Sequence, residues 1–474
     1  MKNIKETFIM AENNDDLDKT TIPKMTQTIS DFETELYQEH LEEASFLYEQ
    51  RMTLFDDPEI TWVDIEDFEE RFEAHIDALV VGEELALKVC KTQAVEGDFG
   101  ELHAAVSVFC RQNRLDFVQE CLETLDPEDT ERVQAISDAL NHELPSEWKD
   151  EFIRILSEGD QRLIPVVAKL IGYRRLSSGK ELLQALQQNN AQSASNIIWS
   201  IGRVREQYAR VLLFNKYLKH EDESVCSATA IALLRIGDPQ ILDHYLSSAH
   251  SGNWPFLLLG LGGNRSTVAV LIESATNNKA SADCMIALGL LGDISAVDTL
   301  LSDIGDADFA GSAAMALNLI TGAGIYEEVF IPEEIDEDEL FEEELEKLKR
   351  GESLYPPGKE PGTTITRLSQ KPEDWQKWWV ENKSHFNPAI RYRNGKPYSP
   401  ACLLENLQSE KSFHQVRQLA YEELVIRYGI DFPFETDMLV SEQKQAIAKY
   451  AEWIKVNGSR FQEGKWYFAG NPKK

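Results

Sequence analysis

Apolar positions in this chain recur at spacings of three and four over most of its length, which predicts amphipathic helices rather than strands. One stripe combines Phe32, Leu36, His40, Ala44, Leu47 and Tyr48, and a second combines Ile65, Phe68, Phe72, Ile76 and Leu79. The opposite faces of both predicted helices are glutamate and aspartate. No period-two run of β-branched residues competes with this pattern, so the expected fold class is all-α.

The middle of the chain repeats itself. A short apolar helix ending in Ile-Gly, Leu-Gly or Thr-Gly recurs with its glycine at Gly172, Gly202, Gly237, Gly262, Gly292 and Gly322, at steps of 30, 35, 25, 30 and 30 residues. Alanines in segments such as ASNIIWSIG and CMIALGLLG let neighbouring helices approach closely, and each glycine is expected to supply the left-handed residue that ends its helix. A second amphipathic helix follows several of these stops, as in GDPQILDHYLSSA, whose aspartate can cap the first turn. A pair of helices in about 30 residues cannot bury its apolar faces alone and must stack on neighbours. With fainter copies at AAVSVFCRQN and VQAISDALNH, the pattern predicts an ARM/HEAT-type α-solenoid of roughly seven helical-hairpin repeats over residues 97–324.

Around that solenoid the composition divides the chain. Residues 1–30 read as a flexible polar tail, 31–96 as an acidic N-terminal helical cap, and 325–372 as an acidic linker ending in Pro-Pro-Gly and Pro-Gly. Residues 373–474 read as a helical C-terminal module that holds 17 of the 44 aromatic residues.

Charge sharpens the division. The 474 residues carry a formal net charge of −35, with 42% hydrophobic and 27% charged residues. Segments 31–75 and 327–360 contribute −14 and −10 of it, whereas 373–474 is at +2. Such an acidic chain is not expected to bind nucleic acid or an anionic membrane, because both need clustered Lys and Arg. No apolar run reaches the length of a membrane helix, no signal-peptide h-region is present, and the six cysteines lack metal or disulfide spacing, so a cytoplasmic location is expected.

Candidate chemistry is sparse. GLGGNRS at 260–266 lacks the spacing of a phosphate loop and follows a helix, and neither HExxH nor GxSxG occurs. His40 and His75, with Glu43 and Asp77 nearby in sequence, read more simply as a histidine–carboxylate pair fixing two helices than as a metal or proton-transfer site. No catalytic residue, cofactor or metal is therefore assigned. Arg174, Arg203, Arg235 and Arg265 recur at or beside the repeat turns, as do Arg175 and Arg205. Stacking would align them into a basic ridge for an acidic segment, either a partner's or the chain's own 327–349 run; the simpler reading is that each complements a helix C-terminus. Trp375, Trp378 and Trp379 form an aromatic cluster that could anchor a partner or fill a core. Arg391, Tyr392 and Arg393, with Lys396, form a basic aromatic loop.

HLEEASFLYEQR near the start, FEERFEAHIDALVVG after it, the repeats, and WQKWWVENKSHFNPAIRYRNGKPYS near the end occur in one order. Together they resemble an uncharacterised bacterial family with HEAT-like repeats, over roughly residues 31–470. The resemblance implies an ARM/HEAT superhelix and no established catalysis. Family members often lie near type VI secretion genes, which implies a secretion effector or spike component as partner. Where that family tends to a glycine before the Arg-Tyr pair, this chain carries Ala389 and Ile390. The expected function is a non-enzymatic protein–protein interaction scaffold or adaptor. An immunity protein that masks a basic toxin, and an enzyme with a site in the solenoid groove, are the alternatives.

Overall fold

The computed structural model describes residues 29–55, 57, 60–158, 160–188, 191–248, 256–276, 281–333, 342–350, 354–355 and 361–473. Those residues are predominantly helical, with three short two-stranded antiparallel ribbons. The expected tail at 1–30 lies outside them except for its last two residues, which begin the first helix.

The chain runs through α1 (Ile29–Leu54), α2 (Glu66–Val81), α3 (Glu83–Glu96), α4 (Phe99–Arg111), α5 (Leu115–Thr124), α6 (Thr130–Glu143), α7 (Lys149–Glu158) and α8 (Ile164–Tyr173). It continues with α9 (Gly179–Gln188), α10 (Ala191–Arg203), the single turn α11 (Arg210–Leu212), α12 (Glu223–Ile236), α13 (Gln240–Ser248), α14 (Phe256–Gly262), α15 (Arg265–Ser274), α16 (Ala282–Leu291), α17 (Val297–Asp303) and α18 (Ala310–Thr321). Then come β1 (Tyr326–Pro332), α19 (Glu342–Lys349), β2 (Gly362–Leu368), α20 (Pro372–Asn382), β3 (Tyr392–Arg393), β4 (Lys396–Pro397), α21 (Pro400–Gln408), α22 (His414–Tyr428), α23 (Val440–Asn457), β5 (Trp466–Phe468) and β6 (Asn471–Lys473).

Alternate helices form a continuous series, in which α4 packs on α6, α6 on α8, α8 on α10, α10 on α12, α12 on α14, α14 on α16 and α16 on α18. These are the small-apolar segments of the repeat, and they are buried almost end to end. Their glycines do two jobs, not the single one expected. Gly237, Gly292 and Gly322 do take the left-handed conformation, with φ of 84°, 68° and 61°. Gly172, Gly202 and Gly262 instead lie inside their helices, and at the first two turns the left-handed residues are Arg175 and Arg205. A Cβ on Gly202 would stand 2.8 Å from the Ala232 Cα, and one on Gly289 only 2.6 Å from the Ala316 Cα. Contact between backbones, with no side chain between them, is what those positions require.

The N-terminal stripe is rotated from its expected setting. Leu41, Ala44, Leu47 and Tyr48 are buried where α1 meets α2, α3 and α4, whereas Phe32 and Leu36 face outward. The linker reading of 325–372 is also corrected in part, because β1 and β2 pair over seven residues, from Tyr326↔Leu368 to Pro332↔Gly362. Thr363, Thr364, Ile365 and Thr366 are β-branched and suit a strand, and the Pro-Gly pair just before them drew the reading toward a linker.

Residues 372–473 do not extend the helical series. They lie across it, with α22 on α12 and α14, β3 on α18, α20 on α17, and α23 reaching α2. Arg51 on α1 donates to the Asp437 carbonyl (2.8 Å) and Val440 N–H donates to Glu69 on α2 (2.7 Å). The C-terminal segment thus ties the first helices to the last ones.

Candidate functional site

The sequence QLAYEELVIRY in α22 is apolar on all sides, which calls for burial all round, yet it carries adjacent glutamates. Glu422 and Glu423 are both buried, so each must be paired to be tolerated. Glu422 accepts from Arg203 Nη1 at 2.6 Å and from Arg235 Nη1 at 2.7 Å. Arg203 also donates to Glu435 (2.9 Å), and Arg235 lies 3.3 Å from Asp431. Arg175 reaches Glu435 at 2.8 Å and the Tyr421 hydroxyl at 2.5 Å. Among the described residues, the acids that pair with Arg175, Arg203 and Arg235 therefore come from residues 422–435.

Arg174, Arg205 and Arg235 also complement helix ends. Arg174 donates to the carbonyls of Asn141, His142 and Leu144 at the end of α6. Arg205 donates to the Arg235 carbonyl at the end of α12, and Arg235 to the Gly202 carbonyl near the end of α10. Arg265 is half exposed, 3.1 Å from Asp293 and hydrogen-bonded to the Pro388 carbonyl. The macrodipole and the unpaired carbonyls of each helix end favour a cation at these points.

The basic aromatic loop is equally internal. Arg391, Tyr392 and Arg393 are buried. Arg393 donates to Glu423 (2.9 Å) and to Asn406 (2.8 Å), and Arg427 and Tyr398 also donate to Glu423. Arg391 donates to the Leu290 carbonyl at the end of α16 and lies between the rings of Tyr398 and Trp466. Burial and the neighbouring Arg427 pull its pKa down to about 10, opposed by Tyr398 and Glu423. Asn394 and Gly395 both take positive φ, so the loop is a two-residue β-hairpin turn. Trp375 is buried and donates to the Ser369 carbonyl (2.7 Å), while half-buried Trp378 and Trp379 pack on Phe386.

Exposed side chains also cluster on the first helix. The outer face of α1 carries Phe32, Leu36 and Phe46, exposed to 58%, 37% and 54%, at the i, i+4, i+14 spacing of one helical stripe. Glu39, Glu42 and Glu43 stand among them. A shallow pocket of about 290 Å³ is lined by Leu36, Glu39, His40, Glu42, Glu43, Phe46 and His75. Inside it His40 Nδ1 faces His75 Nδ1 at 3.0 Å. The expected histidine–carboxylate bond is replaced by an imidazole–imidazole contact. Burial and the neighbouring His40 and Arg71 hold His75 below the usual imidazole range, against an opposing pull from Glu43.

A larger cleft of about 530 Å³ opens where Phe55, Trp62 and Ile65 meet Met315, Tyr326 and Phe413. Among the described residues, no three His, Cys, Asp or Glu side chains stand ready around one metal position, and no helix is long and apolar enough to cross a membrane. What sequence reasoning missed was the Glu422–Glu423 pair, although two acids inside an all-round apolar helix signal buried ionic partners. No protein-family model matches this chain, and no curated protein is detectably similar to it.

Proposed function

We propose that the chain is a non-catalytic interaction scaffold of the ARM/HEAT α-solenoid type, and that its partner docks on the acidic outer face of α1 and α2. The observation that carries this reading is the row of exposed Phe32, Leu36 and Phe46 among glutamates, beside a ridge already occupied by the chain's own acids. Exposed aromatic and aliphatic side chains supply the anchoring area, and the glutamates select a partner segment that is basic and apolar in alternation. The series of alternate helices from α4 to α18 supports a solenoid in which each helix pair buries its apolar face on the next. A secretion effector or spike component is the partner class that the family resemblance suggests, and a basic toxin masked by an immunity protein would use the same face.

Affinity capture with the full chain and with a Phe32→Ser, Leu36→Ser, Phe46→Ser variant tests the reading. A partner retained by the wild type, lost by the variant and released by salt is expected. A partner held equally by both would overturn the assignment of this face. Growth rescue on co-expression with that partner selects the immunity role over the adaptor role.

A further inference from the structure

We propose that the outer edge of β2 accepts an extended peptide segment of a partner protein as a third strand, with an apolar side chain of that segment seated in the adjoining cleft. Antiparallel pairing alternates residues that exchange ladder bonds with residues whose main-chain groups face away. Ser369 N–H donates to the Ile325 carbonyl (2.9 Å) and Glu333 N–H to the Pro361 carbonyl (2.8 Å), at the two ends of the ribbon. In step with them, Arg367, Ile365 and Thr363 bond to β1 opposite Glu327, Val329 and Ile331. The N–H and C=O groups of Gly362, Thr364 and Thr366 therefore point away from β1. Among the described residues no further strand pairs with them, and Thr364 and Thr366 are exposed.

The two edges of the ribbon differ. The outward positions of β1 include Glu328 and Pro332, a charge and a residue without N–H, and both discourage strand addition. Thr363 to Thr366 has neither and is β-branched throughout. Thr366 also lines the cleft of about 530 Å³, as does Tyr326 from the same face of the ribbon. A strand added beside β2 continues that face, so its alternate side chains fall on the cleft side, toward Phe55, Trp62, Met315 and Phe413. Trp62 is held in place there, its indole N–H on the Ser409 carbonyl (3.2 Å) and its ring 3.9 Å from the Arg417 guanidinium. Backbone bonds give affinity for an extended chain, and the aromatic cleft selects a large apolar residue. Asp57 and Glu410 against Lys411 at the cleft, with a net charge of −35 overall, call for basic flanks and oppose a second copy of the chain as occupant. None of these residues belongs to the Phe32, Leu36 and Phe46 row, so this surface stands or falls apart from the docking face on α1.

Fluorescence polarisation of labelled heptapeptides Lys-Thr-Val-X-Val-Thr-Lys, with X as Phe, Leu or Ala, against the full chain tests the site. Micromolar binding that favours Phe over Ala is expected. N-methylation of alternate peptide amides should abolish binding at one parity and spare it at the other, because only one edge of the peptide faces β2. Thr364→Pro removes an outward N–H without touching the β1 ladder and should weaken binding about tenfold, with circular dichroism reporting that the variant is folded. No binding of any of the three peptides, equal loss on methylation at either parity, or full binding to a folded Thr364→Pro variant would overturn the site. A dimer of the chain in analytical ultracentrifugation that Thr364→Pro dissolves would overturn the peptide as its occupant.

Discussion

Glu422 and Glu423 are neighbours in sequence, yet their carboxylates serve different sets of arginines. Glu422 faces the arginines of α10 and α12, and Glu423 faces those of the C-terminal segment itself. One helix thereby joins two buried ionic clusters, and the difference between them sets a ranking.

Glu423→Gln should destabilise the chain more than Glu422→Gln. With Glu422 neutralised, Arg203 keeps Glu435 and Arg235 keeps Asp431. With Glu423 neutralised, the fully buried Arg391, Arg393 and Arg427 lose the carboxylate they share. Removing one partner of a buried pair costs about 3–5 kcal/mol, because the remaining charge is stranded away from water. Glu405→Gln, which breaks the exposed pair with Lys396, should stay within about 1 kcal/mol of wild type. Urea unfolding of the three variants gives the order directly, and equal losses at 405 and 423 would contradict it.

The same pairing gives a pH dependence. Burial alone would raise the Glu422 carboxyl, but Arg203 and Arg235 outweigh it and hold it at about 2. An unfolded glutamate titrates near 4.3, roughly two units higher. The stabilisation is therefore complete above that value and is lost as pH falls toward 2, where the unfolded chain takes up a proton that the folded chain refuses. Glu422→Gln has no such proton to take up. Wild-type and variant stabilities, measured by urea unfolding from pH 6 downward, should differ by a constant amount above about pH 4.5 and converge below it. A gap that stays constant through pH 3 would show that Glu422 is not held ionised by the arginines.

Helical periodicity in the sequence located the buried helices from α4 to α18, because burial of one face imposes the spacing of three and four that a sequence displays. Partners that meet only after folding leave no such trace. Arg203 and Glu422 are separated by 219 residues, and nothing in the local pattern of either names the other. The arginine row was therefore legible as a row, but not as a surface already filled. Asn394-Gly395 carried a recognisable hairpin signal, and Thr363 to Ile365 a strand signal; in each case surrounding charge and loop residues drew the reading away. The α1 stripe failed for another reason. Phe32 and Leu36 continue the apolar period past the end of the core, so periodicity alone could not tell a packed face from an exposed one.

The two kinds of glycine can be separated by asparagine, which tolerates the left-handed conformation better than alanine does. At Gly237 a new Cβ would meet only the Ala469 Cβ, at 3.0 Å, so Gly237→Asn should cost less than Gly237→Ala. At Gly292 the conformation is equally left-handed, but a Cβ would fall 2.1 Å from the Tyr392 carbonyl oxygen, so Asn should fare no better than Ala. At Gly289 the backbone is helical and the obstacle is the Ala316 Cα, so even alanine overpacks the α16–α18 contact and should cost about 1–3 kcal/mol. Thermal unfolding of Gly237→Asn, Gly292→Asn and Gly289→Ala should place the first below wild type and the other two lower still. If Gly292→Asn unfolded with Gly237→Asn, the close seating of β3 on the end of α16 would be wrong. A normal melting temperature for Gly289→Ala would instead remove the backbone contact between α16 and α18.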